Sequence, residues 1–542
     1  MYLSQFKRVF LSFMMVSLFC SGLSAQVKSW GDQGNGTYIN PILNADYSDP
    51  DAIRVGDKYY LVCSEFHFMG MPVLESEDLV NWRIIGNVYD DIDCPEYAGF
   101  ERYGSGSWAP AIRYHDGLFY VYFCTPDEGL FMTTAKDPAG PWAPLHCVKK
   151  VEKWEDPCPF WDENGNAYLG RSQWGAGPII IHRMSKDGRE LLDDGAVVYT
   201  GPGAEGVKFH KINGYYYISI PEGGVSGGWQ TVLRSKNIYG PYEKRVVLQQ
   251  GATDINGPHQ GAFIDTPDGE WWFIHFQWTY GRGRVAHLQP VVWNNGWPMP
   301  GVDIDHNGIG EPVRVWTKPS AGHGSKPELP ASSDEFNDTT LGLQWRANHK
   351  FYRENIDLSA KPGYLTLTAM RGDSLRVARN TLVQKTMGYE GEAVVKLDCT
   401  GMTAGQRAGM VAMTDHFRGI GIEKDGKNLY LYTENDGRFT RLDRIKGSIV
   451  FFKITMDRNG KSNRFYYSLN GKDFSPVEEP FEMRLAYWKG PHIGVFSYNR
   501  LTDGGKASLD WFRYEFERRE NFGACPTKMF SGSEVCGMSV AK

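Results

Sequence analysis

The feature that most constrains this chain is a beat in its first half. A turn residue, two spacers and an aromatic open a β-rich run five times: Asp57-Lys-Tyr-Tyr60, Gly117-Leu-Phe-Tyr120, Gly165-Asn-Ala-Tyr168, Gly214-Tyr-Tyr-Tyr217 and Gly269-Glu-Trp-Trp272. The aromatics stand 60, 48, 49 and 55 residues apart. Each run is followed by a second strand-like segment, and often by a turn such as LVNW (79–82), GPW (140–142) or GPY (240–242). Units of about 50 residues with several short strands have the period of propeller blades. Five copies predict five blades; a large sandwich with look-alike hairpins is the alternative architecture.

The beat stops after Val302. Val315–Pro330 (VWTKPSAGHGSKPELP) is rich in Pro, Gly, Ser and Lys and reads as a linker. From Asp334 strands resume without the period, as in TLTAM (366–370), EAVVKL (392–397), MVAMT (410–414), LYLYT (429–433) and IVFFKITM (449–456). This predicts one β-sandwich. The expected layout is all-β without a long helix: propeller 26–314, linker 315–330, sandwich 331–518 and a tail at 519–542. A length of 542 residues fits two cores better than one. A net charge of -6 offers no basic surplus for nucleic acid. The 14% of aromatic residues suits a carbohydrate surface, and the 41% of hydrophobic residues excludes a mostly disordered chain.

Residues 1–25 read as a cleaved secretory signal: Lys7 and Arg8, an apolar run from Val9 to Leu23, then the small pair Ser24 and Ala25. Export to the periplasm or beyond is the expectation. Cys20 offers a lipoprotein alternative, against which stands the bulky Phe19. No later segment looks transmembrane. Eight Cys remain after cleavage, with no CxxC or Cys/His cluster for zinc. Cys525 and Cys536 could pair in the tail, and the oligomeric state leaves no sequence signal.

Three acids precede or open blade strands. Asp49 lies in Asp46-Tyr-Ser-Asp49-Pro50-Asp51, Asp156 in Trp154-Glu155-Asp156-Pro157-Cys-Pro-Phe160-Trp161, and Glu205 in Gly203-Ala-Glu205-Gly206. A Pro after Asp49 predicts an extended backbone that fixes the direction of the carboxylate. Inner strands line a propeller's channel, so the three acids are expected to converge there. Like charges gathered in one pocket cost stability and point to chemistry.

On these motifs residues 40–302 resemble glycoside hydrolase family 43, a family of five-bladed propellers. The resemblance implies that Asp49 is the general base, Glu205 the general acid, and Asp156 the group that tunes the acid's pKa and orients substrate. It also implies pocket walls at Phe66 and Trp108. His259 would be the axial histidine that helps hold a cation or water, and Arg284 the arginine that reaches substrate hydroxyls. Val207 follows Glu205-Gly206 where many members carry Pro. Inversion is implied as well, with one protonated carboxyl and one ionised carboxylate across the sugar ring. No cofactor is expected for the chemistry.

The second half resembles the concanavalin-like sandwich attached to many members, from Asp334-Glu335-Phe336 to Leu509-Asp510-Trp511-Phe512. Glu335 and Asp510 are expected as oxygen ligands of a structural Ca²⁺; solvated strand-end acids are the alternative. A sandwich loop is expected to lean over the propeller pocket and favour cutting at chain ends. The stretches His67–Met71 and Phe276–Tyr280 are expected to shape subsites. The expected partner is a plant cell-wall oligosaccharide or polysaccharide. The resemblance favours an α-L-arabinofuranosidase on hemicellulose such as xyloglucan or arabinoxylan. The alternative is a β-D-xylosidase, and a binding-only or interaction propeller ranks lower.

Overall fold

A computed structural model describes residues 31–99, 101–322 and 324–516. The expected signal, the Cys525–Cys536 pairing and the tail beyond residue 516 lie outside them. Five antiparallel four-stranded sheets follow one another along the chain, within 51–87, 108–149, 154–199, 208–248 and 259–300. These are blades 1 to 5. Each repeated turn-and-aromatic motif falls at the hairpin between a blade's first and second strands. In blades 2 and 4 that hairpin turns on Asp116-Gly117 and Asn213-Gly214, both residues of each pair having positive φ. Two such residues make the tight turn whose twist matches paired strands, which is why Asp, Asn and Gly recur there.

The first strands of blades 1 to 4 pack beside one another in turn, the first strand of blade 5 packs against the second and third strands of blade 4, and it returns to the first strand of blade 1. Arg54 pairs with Asp265 at 2.5 Å across this last seam. Among the described residues no blade borrows a strand to close the ring. Instead the leading segment crosses it: Ile42 N donates to Ala286 O at 2.9 Å, and Ala286 N to Leu43 O at 3.1 Å. The turn at 79–82 buries Trp82 completely, and its indole N–H donates to Leu79 O at 2.9 Å.

The expected linker is partly a strand. Val315–Thr317 pairs antiparallel with Thr37–Ile39, and Lys318 bridges Asp32 and Asp78, 2.7 Å from each. The chain is therefore pinned to blade 1 before it leaves the propeller. The second half forms a sheet of seven strands facing a sheet of nine. The five segments expected as strands there are strands, apart from a break at Ala369 and the end residue Thr414. The sandwich core includes Trp345, whose ring lies 5.1 Å from that of Phe512. Among the described residues the longest α-helix has 4 residues, Glu96–Gly99.

One strand of the nine-stranded sheet comes from the propeller. Phe68–Met69, between the second and third strands of blade 1, pairs with Ala347 and Asn348. The stretch His67–Met71 was expected to shape a subsite; it builds the interface instead. Phe68 stacks on His492 at 4.0 Å, and His67 packs against Tyr103 and His349.

Candidate active site

At one mouth of the channel the first strands of blades 2, 3 and 5 lose register, between Trp108 and Ala111, Glu155 and Cys158, and His259 and Gly261. A bulge inserts a residue and re-aims side chains. Here it turns Asp156 and Gln260 onto one network: Gln260 Nε2 donates to Asp156 Oδ1 at 3.2 Å. The Asp-Pro expectation fails in its backbone detail. Asp49 and Asp156 have φ of 53° and 56°, not extended values. A following Pro disfavours the right-handed region, and Asp tolerates the left-handed one with its short polar side chain. Such conformations cost free energy and persist where the surroundings enforce them.

Those surroundings are hydrogen bonds to the carboxylates. Asp49 accepts from Ser64 Oγ at 2.6 Å and from Arg284 Nη1 at 2.8 Å. Asp156 accepts from Gly206 N at 2.7 Å and Ser172 Oγ at 3.1 Å. The Gly206 bond ties blade 3 to the segment that carries Glu205. His259 Nε2 lies 2.7 Å from Glu205 Oε1. Its Nδ1 is buried without a partner, which fits a water or cation held on the axis. The three expected acids, His259 and Arg284 thus meet at one mouth.

A fourth acid joins them. Carboxylate oxygens of Glu155, Asp156 and Glu205 all lie within 4.8 Å of one another. Burial and the charges of Asp156 and Glu205 push Glu155 up to about 9. Burial and the Glu205 charge push Asp156 up to about 6. Burial also raises Glu205, but its hydrogen bond and ion pair with His259, helped by Arg284, draw it below its ordinary value. These shifts favour a proton on Glu155 and the ionised form of Glu205. Separation of Glu205 from His259 would remove the largest influence that lowers it.

The walls are aromatic. Phe66 meets Trp108 edge-on at 6.2 Å, and the indole N–H of Trp108 donates to Gly104 O at 2.8 Å. Two tryptophans not singled out in the sequence complete the rim. Trp174 of blade 3 and Trp488 of the sandwich lie 5.0 Å and 5.4 Å from Trp108. They remain 45% and 46% exposed, so their faces are free for a ligand. The expected sandwich loop is therefore present, as the turn Ala486–Lys489. Phe276 supports rather than lines the site, with the Arg284 guanidinium 4.9 Å over its ring. Trp108→Ala is expected to lower kcat/KM about 10–200-fold, or ~1–3 kcal/mol of transition-state binding, without a large change in melting temperature. Steady-state kinetics beside a thermal melt checks this.

The calcium expectation does not survive the geometry. Glu335 forms a two-point ion pair with Arg513, at 2.7 Å and 3.0 Å, and Asp510 is paired with Lys396. Both acids serve as cross-strand partners of cations, which leaves a poor donor set for a divalent ion. Among the described residues the one group of three or more clustered ligand side chains is Glu155, Asp156 and Glu205.

Four carboxyl groups at one mouth of a ring of blades, with an aromatic rim, have the residue types that glycoside cleavage needs. The comparisons agree. Residues 38–298 match the family described as glycosyl hydrolases family 43, and 333–515 match the beta xylosidase C-terminal concanavalin A-like domain. The chain belongs to glycoside hydrolase family 43. It is 53% identical over 475 residues to a Xylanibacter ruminicola protein named "Putative beta-xylosidase", covering 88% of this chain and 89% of that one. It is 38% identical to a Formosa agariphila protein named "Beta-xylosidase", covering 91% and 93%. A Bacteroides ovatus protein named as a non-reducing end alpha-L-arabinofuranosidase is 30% identical, covering 88% and 94%.

Proposed function

We propose that the protein is an exo-acting, inverting β-D-xylosidase that removes terminal xylose from the non-reducing end of xylo-oligosaccharides. The observation that carries the sugar assignment is the 53% identity to a relative named as a beta-xylosidase. The arabinofuranosidase expected from the sequence becomes the second reading, supported by the 30% identical relative from Bacteroides ovatus. Family membership supports hydrolysis over a binding-only role.

In this reading Asp49, hydrogen-bonded by Arg284 and Ser64, takes the proton of the attacking water. Glu205 protonates the leaving oxygen. Asp156 orients the sugar and returns the proton to Glu205. Asp49 and Glu205 come from the segments that lead into blades 1 and 4, and inversion requires room for a sugar ring and a water between them. Trp108, Trp174 and Trp488 narrow the mouth, which favours release of single sugars. Export, expected from residues 1–25, belongs to the same proposal, because the hemicellulose substrate lies outside the cytoplasm.

Nitrophenyl β-D-xyloside and nitrophenyl α-L-arabinofuranoside assayed side by side decide the sugar. The xyloside is expected to lead by at least about tenfold in kcat/KM, or ~1.4 kcal/mol. A lead for the arabinofuranoside reverses the two readings. Proton NMR during early hydrolysis should show the anomer opposite to that of the substrate; retention would demand a covalent nucleophile.

A further inference from the structure

The turn that carries Trp488 to the rim also carries Lys489 beneath the base. The Lys489 side chain is almost wholly buried. Its Nζ donates to Ser64 O at 2.9 Å and lies 3.2 Å from Asp46 Oδ2 and 3.0 Å from Glu65 Oε2. Two of these contacts lead directly to Asp49. Ser64 presents its carbonyl to Lys489 and its hydroxyl to Asp49 Oδ2, at 2.6 Å. Asp46 accepts from Arg284 N at 2.8 Å, and Arg284 in turn donates to Asp49 Oδ1 at 2.8 Å. Both hydrogen-bond donors of Asp49 are thus tethered to one ammonium from the other domain.

The fit around this turn is close. A Cβ on Gly490 would sit 2.3 Å from Arg282 O and 2.8 Å from Asp46 Cβ. Lys385, also from the sandwich, lies 2.5 Å from Glu65 Oε1 in the same buried network. It pairs with Glu65, and neither Ser64 nor Asp46 is hydrogen-bonded to it. The network therefore has one cation on the tether of the base and one beside it.

We propose that Lys489 is a positioning residue for the general base, so that the sandwich supplies part of the hydrolytic machinery and not only a wall of the pocket. The inference rests on Asp49 being the base. Without Lys489, Ser64 and Asp46 lose their common anchor, and Asp49 drifts from the line on which it must meet water. Misplacement of a catalytic group by about 1 Å costs on the order of 10²-fold.

The test compares Lys489→Met with Lys385→Met in the full chain. Both remove a buried cation from the same network, so both are expected to lower the melting temperature. Lys489→Met should also lower kcat about 10- to 100-fold with KM little changed. The loss should be equal on a nitrophenyl xyloside and on xylobiose, because a base defect is blind to the leaving group. Lys385→Met should keep kcat near wild type. Equal kcat losses in the two variants, or a folded Lys489→Met with wild-type kcat, overturns the proposal. If Lys489→Met does not fold, Asp46→Asn replaces it: the amide oxygen still accepts from Arg284 N while the ion pair to Lys489 is gone. A smaller, leaving-group-blind loss supports the proposal, and wild-type kcat overturns it. If Asp49→Asn hydrolyses normally, it is the base assignment that fails, whatever Lys489 does.

Discussion

Asp49→Asn is expected to remove turnover of every substrate, by about 10²–10⁴-fold, because no group remains to take the proton of the attacking water. The amide can still accept from Arg284 or Ser64, so the fold should hold. Glu205→Gln is expected to behave differently. On xylo-oligosaccharides, whose leaving alcohol needs a proton, it should lose about as much. On nitrophenyl glycosides it should retain far more, since that leaving group departs without protonation. Measuring both variants on both substrates gives a pattern that a merely destabilised protein does not produce. Wild-type hydrolysis of xylobiose by Glu205→Gln would move the acid elsewhere, with Glu155 the first alternative at that mouth.

The second large effect is on stability against pH. Glu155 has an ordinary value of 4.5 and is pushed up to about 9 by burial and its acidic neighbours. Between those values the folded protein holds a proton that the unfolded chain gives up. Folding stability must then fall as pH rises across the window. The contribution is whole below the unfolded value and gone once pH passes the folded one. Asp156, raised from 3.8 to about 6, adds a smaller loss of the same sign at the acid end. Glu155→Gln keeps an acceptor for Ala176 N, which now donates to Glu155 Oε1 at 3.1 Å, and carries no charge. Its melting temperature should match wild type near pH 4 and exceed it by several degrees near pH 9. Parallel melting curves for the two proteins across that range would show that Glu155 does not titrate in the cluster.

The propeller was legible because its turns are local chemistry. A Gly, Asn or Asp at each hairpin and an aromatic at the next strand are visible without knowing what packs against them. Asp49, Asp156 and Glu205 were legible for a similar reason, each sitting in a short motif at the start of a blade. Glu155 was not. In a regular strand neighbouring residues point to opposite faces, and only the bulge after Glu155 brings it to the same pocket as Asp156. The extended backbone expected at Asp49 was wrong because a following Pro leaves the left-handed region open to an Asp. Trp174, Trp488 and Lys489 had no local signature, since their role depends on which domain surface meets which blade. Phe68–Met69 is a strand of two residues, too short for any periodicity to show. The calcium expectation failed because a strand-end acid reads the same in sequence whether it faces an ion or an arginine.

That two-residue strand also bears on ancestry. A domain that can be shuffled between proteins needs a surface that is complete when it arrives. This sandwich has a sheet edge that the propeller occupies, between Ala347 and Met69, and a lysine whose carbonyl and carboxylate partners belong to blade 1 and the segment before it. A recombination joint placed in the linker would deliver a propeller without its tether and a sandwich with an open edge. Each half taken alone would leave contacts of the other unmet.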